Sequence, residues 1–92
     1  MTLEELERIA RDRRTASPDE SYTATLLGDP ELAQRKIMEE AFELCLEIGR
    51  TTSDPERVAA EAADLLYHLV VGLVSVDVPI DDVFGVLEGR RA

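Results

Sequence analysis

Two short acidic signatures hold most of the chemistry this sequence offers: Glu40-x-x-Glu43 and, after a 17-residue gap, Glu61-x-x-Asp64. Residues three apart on a helix are neighbours, so each signature sets two carboxylates along one helical edge. Turning each residue by about 100° puts Ile37, Ala41, Leu44 and Ile48 on one apolar stripe, with Glu40 at its border and Glu43 slightly further round. In the second segment Val58, Ala62, Leu65, Leu69 and Leu73 form the stripe, and Glu61, Asp64 and His68 run along the matching edge. The stretch from Gly49 to Ser53 is short enough to fold the two helices into an antiparallel hairpin. With Thr52 as pivot, Glu43 and Glu61 are each nine residues away and Glu40 and Asp64 each twelve. Both pairs then lie at equal height, on levels about 4.5 Å apart for a rise of about 1.5 Å per residue.

Four carboxylates this close, partly desolvated by flanking leucines, repel one another unless they are protonated or neutralised. A divalent cation resolves the conflict, and all-oxygen ligation favours Mg²⁺ or Mn²⁺ over zinc. Such ions keep waters that phosphate oxygens can replace or that can serve as nucleophiles. Any one acid on a helix edge is ordinarily just solvated; the matched spacing on both helices is what points to a metal. Lys36, the only lysine, lies one turn before Glu40, where it can hold phosphate as a point charge or pair with Glu40. His68 lies one turn beyond Asp64, placed to contact substrate, to support a ligand, or simply to occupy a helix surface.

The elements that must position these groups follow from start and stop signals. Thr2 with Glu5 is a capping-box pattern, and Leu3, Leu6, Ile9 and Ala10 recur at helical spacing, which predicts a helix from about Thr2 to Arg14. Arg8, Arg11, Arg13 and Arg14 read as favourable charge near that helix's C-terminus in preference to a substrate clamp. A loop with Pro18 precedes a short helix, Tyr22 to Leu27, stopped by Gly28. Asp29-Pro30-Glu31 and Asp54-Pro55-Glu56 each supply an N-cap, a first-turn proline and an early acid, opening helices that reach Ile48 and about Val76. Pro79 begins a last helix running to about Arg90. No apolar region has a strand's alternation, so the expected fold is all-α, built on the long antiparallel helix hairpin. Glu39–Ile48 aligns weakly on Ala60–Leu69 at an offset of 21 residues, with Glu40 on Glu61 and Glu43 on Asp64.

Composition narrows the partners. A chain of 92 residues makes one domain with a modest core, and a formal charge of -10 argues against DNA or RNA, whose binding needs a basic face. Phosphate ligands remain open to it if a cation stands between them and the carboxylates. The acidic N-terminus lacks the order of a secretory signal, and no stretch reaches about 20 uninterrupted apolar residues, so a soluble, cytoplasmic protein off the membrane is expected. The single Cys45, between Leu44 and Leu46, reads as a small buried side chain in a reducing compartment. Val70, Val71 and Val74 fall off the hairpin stripe, an apolar excess that predicts a homodimer with its active sites near the interface.

Around the acids the text becomes more specific. Ser21-Tyr22-Thr23-Ala24 before a leucine pair, Lys36-Ile37-x-Glu39-Glu40-Ala41, Glu61-Ala62-Ala63-Asp64-Leu65-Leu66-Tyr67-His68, Asp82-Val83 and the Leu87-Glu88-x-Arg90-Arg91 ending resemble the phosphoribosyl-ATP pyrophosphohydrolase branch of the MazG-like all-α nucleoside triphosphate pyrophosphohydrolases. The resemblance covers nearly the whole chain; one departure is Met38, where the family commonly has glycine. It implies a MazG-like helical bundle completed by dimerisation, and cleavage of phosphoribosyl-ATP between its α and β phosphates to phosphoribosyl-AMP and pyrophosphate, the second step of histidine biosynthesis. Glu40, Glu43, Glu61 and Asp64 would then hold Mg²⁺, with Glu39 or Glu40 orienting or deprotonating the attacking water. Tyr22 and Thr23 match the family's substrate-side segment, the ring suited to stacking on adenine and the hydroxyl to reaching phosphate, although Tyr22 also suits an ordinary core position. Two other readings compete: pyrophosphate release from a different nucleoside triphosphate by the same cluster, and a non-catalytic helical module whose acidic edge binds a partner.

Overall fold

A computed structural model of the chain describes residues 1–91. It has five helices, which we number α1 (Leu3–Asp12), α2 (Tyr22–Leu27), α3 (Pro30–Ile48), α4 (Pro55–Ser75) and α5 (Ile80–Gly89), and the described residues contain no strand. The starts follow the capping chemistry. Thr2, Ser21, Asp29 and Asp54 accept hydrogen bonds from the backbone amides of Glu5, Ala24, Leu32 and Glu56, satisfying donors that have no partner inside the helix. Pro30 and Pro55 stand in the first turns of α3 and α4, where a missing N–H costs nothing. The one misjudged end is that of α1, expected to run to Arg14: the α-helix stops at Asp12 and Arg13–Thr15 tighten into a 3₁₀ turn.

Helices α3 and α4 form the antiparallel hairpin and the most extensive helix pair. They approach closely at Gly72, where a Cβ would stand 2.9 Å from Ile37 Cδ1. The hairpin bend is pinned by Glu47, a buried carboxylate gripped by Arg50 at 3.0 and 3.2 Å and approached by Arg57 from the first turn of α4 at 3.8 Å. These bonds explain why a glutamate on the last turn of α3 is tolerated out of water.

The remaining elements wrap α4. Ala10 of α1, Leu26 of α2 and Ala33 of α3 pack with Val71 and Val74 in one buried cluster, and Val70 is buried as well. This corrects the assignment of the apolar excess: Val71 and Val74 pack with residues of the chain's own α1, α2 and α3, Val71 wholly inaccessible, and Val70 is buried within the same chain, so none of the three is left over for a second copy. Exposed apolar side chains lie instead on α3, where Met38, Phe42, Cys45 and Leu46 share a stripe at helical spacing, and on α5, where Phe84, Val86 and Leu87 are open to solvent. Met38 and Phe42 are 65% and 64% exposed, and Cys45, expected to be buried, is exposed among them. Ile48 is exposed too, and Leu69 on the α4 stripe is only partly covered. By length and composition α4 is also apolar enough to cross a bilayer, but it carries Glu61, Asp64 and His68 and packs against α1, α2 and α3.

Arg14 has a specific task that its position near the end of α1 did not reveal. Its guanidinium donates to the Val74 carbonyl at 2.8 Å and to the Asp77 carboxylate, closing the C-terminal end of α4. The chain turns there through Asp77 in a left-handed conformation, φ 58°. Glu7 accepts from the Ile80 amide at 2.6 Å and pairs with Arg11 at 3.6 Å, so the α4–α5 connection is held at one end by α1 and at the other by Arg14 of the 3₁₀ turn that follows it.

Candidate metal centre and nucleotide site

The hairpin brings carboxylate oxygens of Glu40, Glu43 and Glu61 within 4.8 Å of one another. Two come from adjacent turns of α3 and one from α4, whereas the count from Thr52 had set Asp64 beside them as a fourth. Asp64 is exposed and its oxygens lie outside that tight group, yet its charge acts on both Glu40 and Glu61. Glu40 Oε2 and Glu61 Oε2 are both buried with no hydrogen-bond partner in the chain. An ionised oxygen shut away from water without a donor is costly, and two of them facing a third carboxylate are an arrangement that a cation relieves.

The electrostatics agree. Burial first, then the charges of Glu43 and Asp64, lift the Glu40 carboxyl above the usual carboxylate range. Glu61 is lifted likewise by partial desolvation, then by the nearby Glu43 carboxylate, then by Asp64 and Glu40. The donor set is oxygen only, which suits a hard divalent ion. The residues present therefore fit the metal that the family resemblance implies.

Lys36 forms an ion pair with Glu39 at 3.4 Å, one helical turn along α3, where Glu40 was the expected partner. That hydrogen bond, more than any other influence, raises the Lys36 ammonium above its ordinary pKa. Glu39 is exposed at the border of the acidic cluster and Glu40 is half-buried within it, so these adjacent acids stand in different surroundings.

On the far side of the acids, α2 lays Tyr22 and Thr23 against α4. The Tyr22 hydroxyl meets His68 Nε2 at 3.0 Å, and the Thr23 hydroxyl is hydrogen-bonded to the Tyr67 hydroxyl. His68 is only 7% exposed and its other nitrogen, Nδ1, lies 2.8 Å from the Asp64 carbonyl, so both ring nitrogens are engaged within the chain. Tyr22 is 48% exposed, stacked on Tyr67 with ring centroids 6.3 Å apart. Its phenol is pushed above the ordinary value mainly by burial of the hydroxyl, against the pull of Lys36, with Tyr67, Glu40 and Glu39 adding to the rise. Tyr67 is the residue the sequence reading passed over, although it stood beside His68 within the quoted motif; an aromatic at the end of an acidic helix edge was the available signal.

Surface grooves lie between α1 and α4 beside Leu3, Leu6, Leu66 and Tyr67, and between α3 and α4 beside Ile37, Leu69 and Val76. A third groove is bordered by Arg14, Pro18, Leu27 and Asp77, at the opposite end of α4 from Glu61.

The sequence that builds this geometry has relatives among known proteins. The family model described as phosphoribosyl-ATP pyrophosphohydrolase matches residues 3–91. The phosphoribosyl-ATP pyrophosphatase of Agrobacterium fabrum is 48% identical over 90 residues, covering 97% of this chain and 82% of the relative. That of Rhizobium rhizogenes is 45% identical over 93 residues, covering 99% and 86%, and that of Cereibacter sphaeroides strain KD131 is 45% identical over 90 residues, covering 97% and 85%. Likeness of this extent, over the same helices that bring the three carboxylates together, makes the chain a member of the phosphoribosyl-ATP pyrophosphohydrolase family.

Proposed function

We propose that the protein hydrolyses phosphoribosyl-ATP to phosphoribosyl-AMP and pyrophosphate, the second step of histidine biosynthesis, as a soluble cytoplasmic enzyme that needs Mg²⁺ or Mn²⁺. The observation that carries this reading is the meeting of Glu40, Glu43 and Glu61 with two buried, unpartnered oxygens, within a chain of this family. Glu40, Glu43 and Glu61 would hold the cation, with Asp64 completing the set. The bound ion would supply charge neutralisation of the triphosphate and of the leaving pyrophosphate.

The chain's own groups do the rest. Glu39 orients the attacking water or takes its proton, because Glu40 is committed to the cluster while Glu39 stands exposed at its border. Lys36, released from Glu39 as substrate enters, binds a phosphate oxygen as a point charge. The half-exposed ring of Tyr22 offers its face to the adenine, and Thr23 fixes the segment that carries it. We further propose a homodimer, supported by the exposed apolar stripe of Met38, Phe42, Cys45 and Leu46 on α3. The substrate is a small nucleotide and not a nucleic acid, in keeping with a net charge of -10.

The test is pyrophosphate release measured with phosphoribosyl-ATP, ATP and a damaged nucleoside triphosphate, each with Mg²⁺ and with EDTA. Metal-dependent turnover of phosphoribosyl-ATP, at least about a hundredfold more efficient than of the others, is expected. Equal turnover of all three would assign the chain a different nucleotide, and metal-independent turnover would remove the cluster from the chemistry.

A further inference from the structure

His68 is buried, polar and aromatic on a helix edge that otherwise carries acids, and its two nitrogens are spent in different ways. Nδ1 faces the Asp64 carbonyl at 2.8 Å. A carbonyl only accepts, so the proton belongs on Nδ1, and in the neutral ring Nε2 is left as an acceptor. The group opposite Nε2 is the Tyr22 hydroxyl at 3.0 Å, which must then donate. The phenol hydrogen is turned into the protein and both oxygen lone pairs face away from His68.

The same contact sets the ring. His68 meets Tyr22 edge-on, with centroids 5.8 Å apart and planes at 80°, and meets Tyr67 edge-on at 5.0 Å and 82°. Tyr67 in turn stacks on Tyr22 and is tied to Thr23 next to it. Helix α2 has only six residues, too few to hold a side chain steady by its own backbone, so this cluster on α4 decides where the Tyr22 face lies.

We infer that His68 is a positioning residue for the nucleotide: it ties the Tyr22 hydroxyl to the α4 turn that carries Asp64, holding the ring that receives the base in fixed register with the carboxylates. The inference rests on the assignment of Tyr22 to the base, and it places His68 behind that ring instead of against substrate. Binding of the base should thus depend on a hydrogen bond that the base never touches, because a ring free to swing loses part of its binding energy in being ordered.

Four variants, Tyr22→Ala, Tyr22→Phe, His68→Leu and His68→Gln, together with the Tyr22→Phe/His68→Leu double variant, test this through steady-state kinetics with phosphoribosyl-ATP. His68→Leu should raise KM about tenfold, the scale of one lost buried hydrogen bond, with kcat changed less than about twofold. Tyr22→Phe, which keeps the ring and risks little folding, should reproduce that split. The double variant should be no worse than either single change, and His68→Gln, which offers an oxygen acceptor, should recover most of the loss. Mg²⁺ affinity by calorimetry should stay at the native value throughout. A KM for Tyr22→Phe equal to that of the native chain, or additive losses in the double variant, would overturn the inference. An unchanged KM in Tyr22→Ala would instead remove Tyr22 from the base and with it the reading on which this one stands.

Discussion

Glu40 and Glu61 each keep one oxygen out of water with nothing in the chain to donate to it, and that tension has measurable consequences. Both carboxyls are raised, so between the ordinary carboxylate value of 4.5 and their folded values the native chain binds protons that the unfolded chain has released. Stability contributed by these groups is therefore complete below the unfolded pKa and is lost as pH rises through the folded ones. In EDTA, the melting temperature of the native chain relative to a Glu40→Gln/Glu61→Gln variant should fall as pH climbs through that window, and saturating Mg²⁺ should abolish the difference in slope. Parallel pH curves with and without metal would contradict it. The same substitutions should lower turnover at least about a hundredfold, since they remove charge placed for the reaction. Residue identity and spacing were enough to predict that Glu40, Glu43 and Glu61 meet, although they placed Asp64 in the same group. The partners of Lys36 and His68 were not legible, because a helix edge states which groups are neighbours and not which rotamer or which facing helix will claim them.

Helix starts were legible because their signals are local: Asp29-Pro30 and Asp54-Pro55 name their own caps. The end of α1 was not, because Arg14 turns away to serve α4, a contact 60 residues distant in the chain. Arg14→Ala should cost about 1 kcal/mol, a modest figure for a half-exposed guanidinium, in denaturant unfolding, with little effect on metal affinity. Glu47 has a larger duty. It pins the bend that sets the register of the two acidic edges, so Glu47→Ala should cost about 1 to 2 kcal/mol and weaken Mg²⁺ binding as well. A stability loss with unchanged metal affinity would detach the bend from the cluster.

For the whole molecule, the sequence predicted an apolar surplus and misplaced it. Periodicity alone treats every valine of α4 outside the hairpin stripe as surplus, but α1 and α2 return to cover Val71 and Val74, Val70 is buried as well, and a continuous uncovered stripe is found on α3. Sedimentation velocity at micromolar concentration should show a dimer for the native chain, and Phe42→Glu, which sets a charge in the middle of the exposed stripe, should shift it to monomer. A native monomer, or a Phe42→Glu dimer, would return that face to solvent. Cys45 offers a second readout, since its thiol should react more slowly with a thiol reagent in the native assembly than in the Phe42→Glu variant.

The account stands most directly on cation capture by acids from two helices, and calorimetric titration with Mn²⁺ and Mg²⁺ tests it without substrate. The native chain should bind with a saturable isotherm, and a Glu43→Gln/Glu61→Gln variant, one change on each helix, should lose that isotherm while keeping its helical circular dichroism. Identical isotherms from the two folded proteins, or no binding by the native chain, would contradict the account.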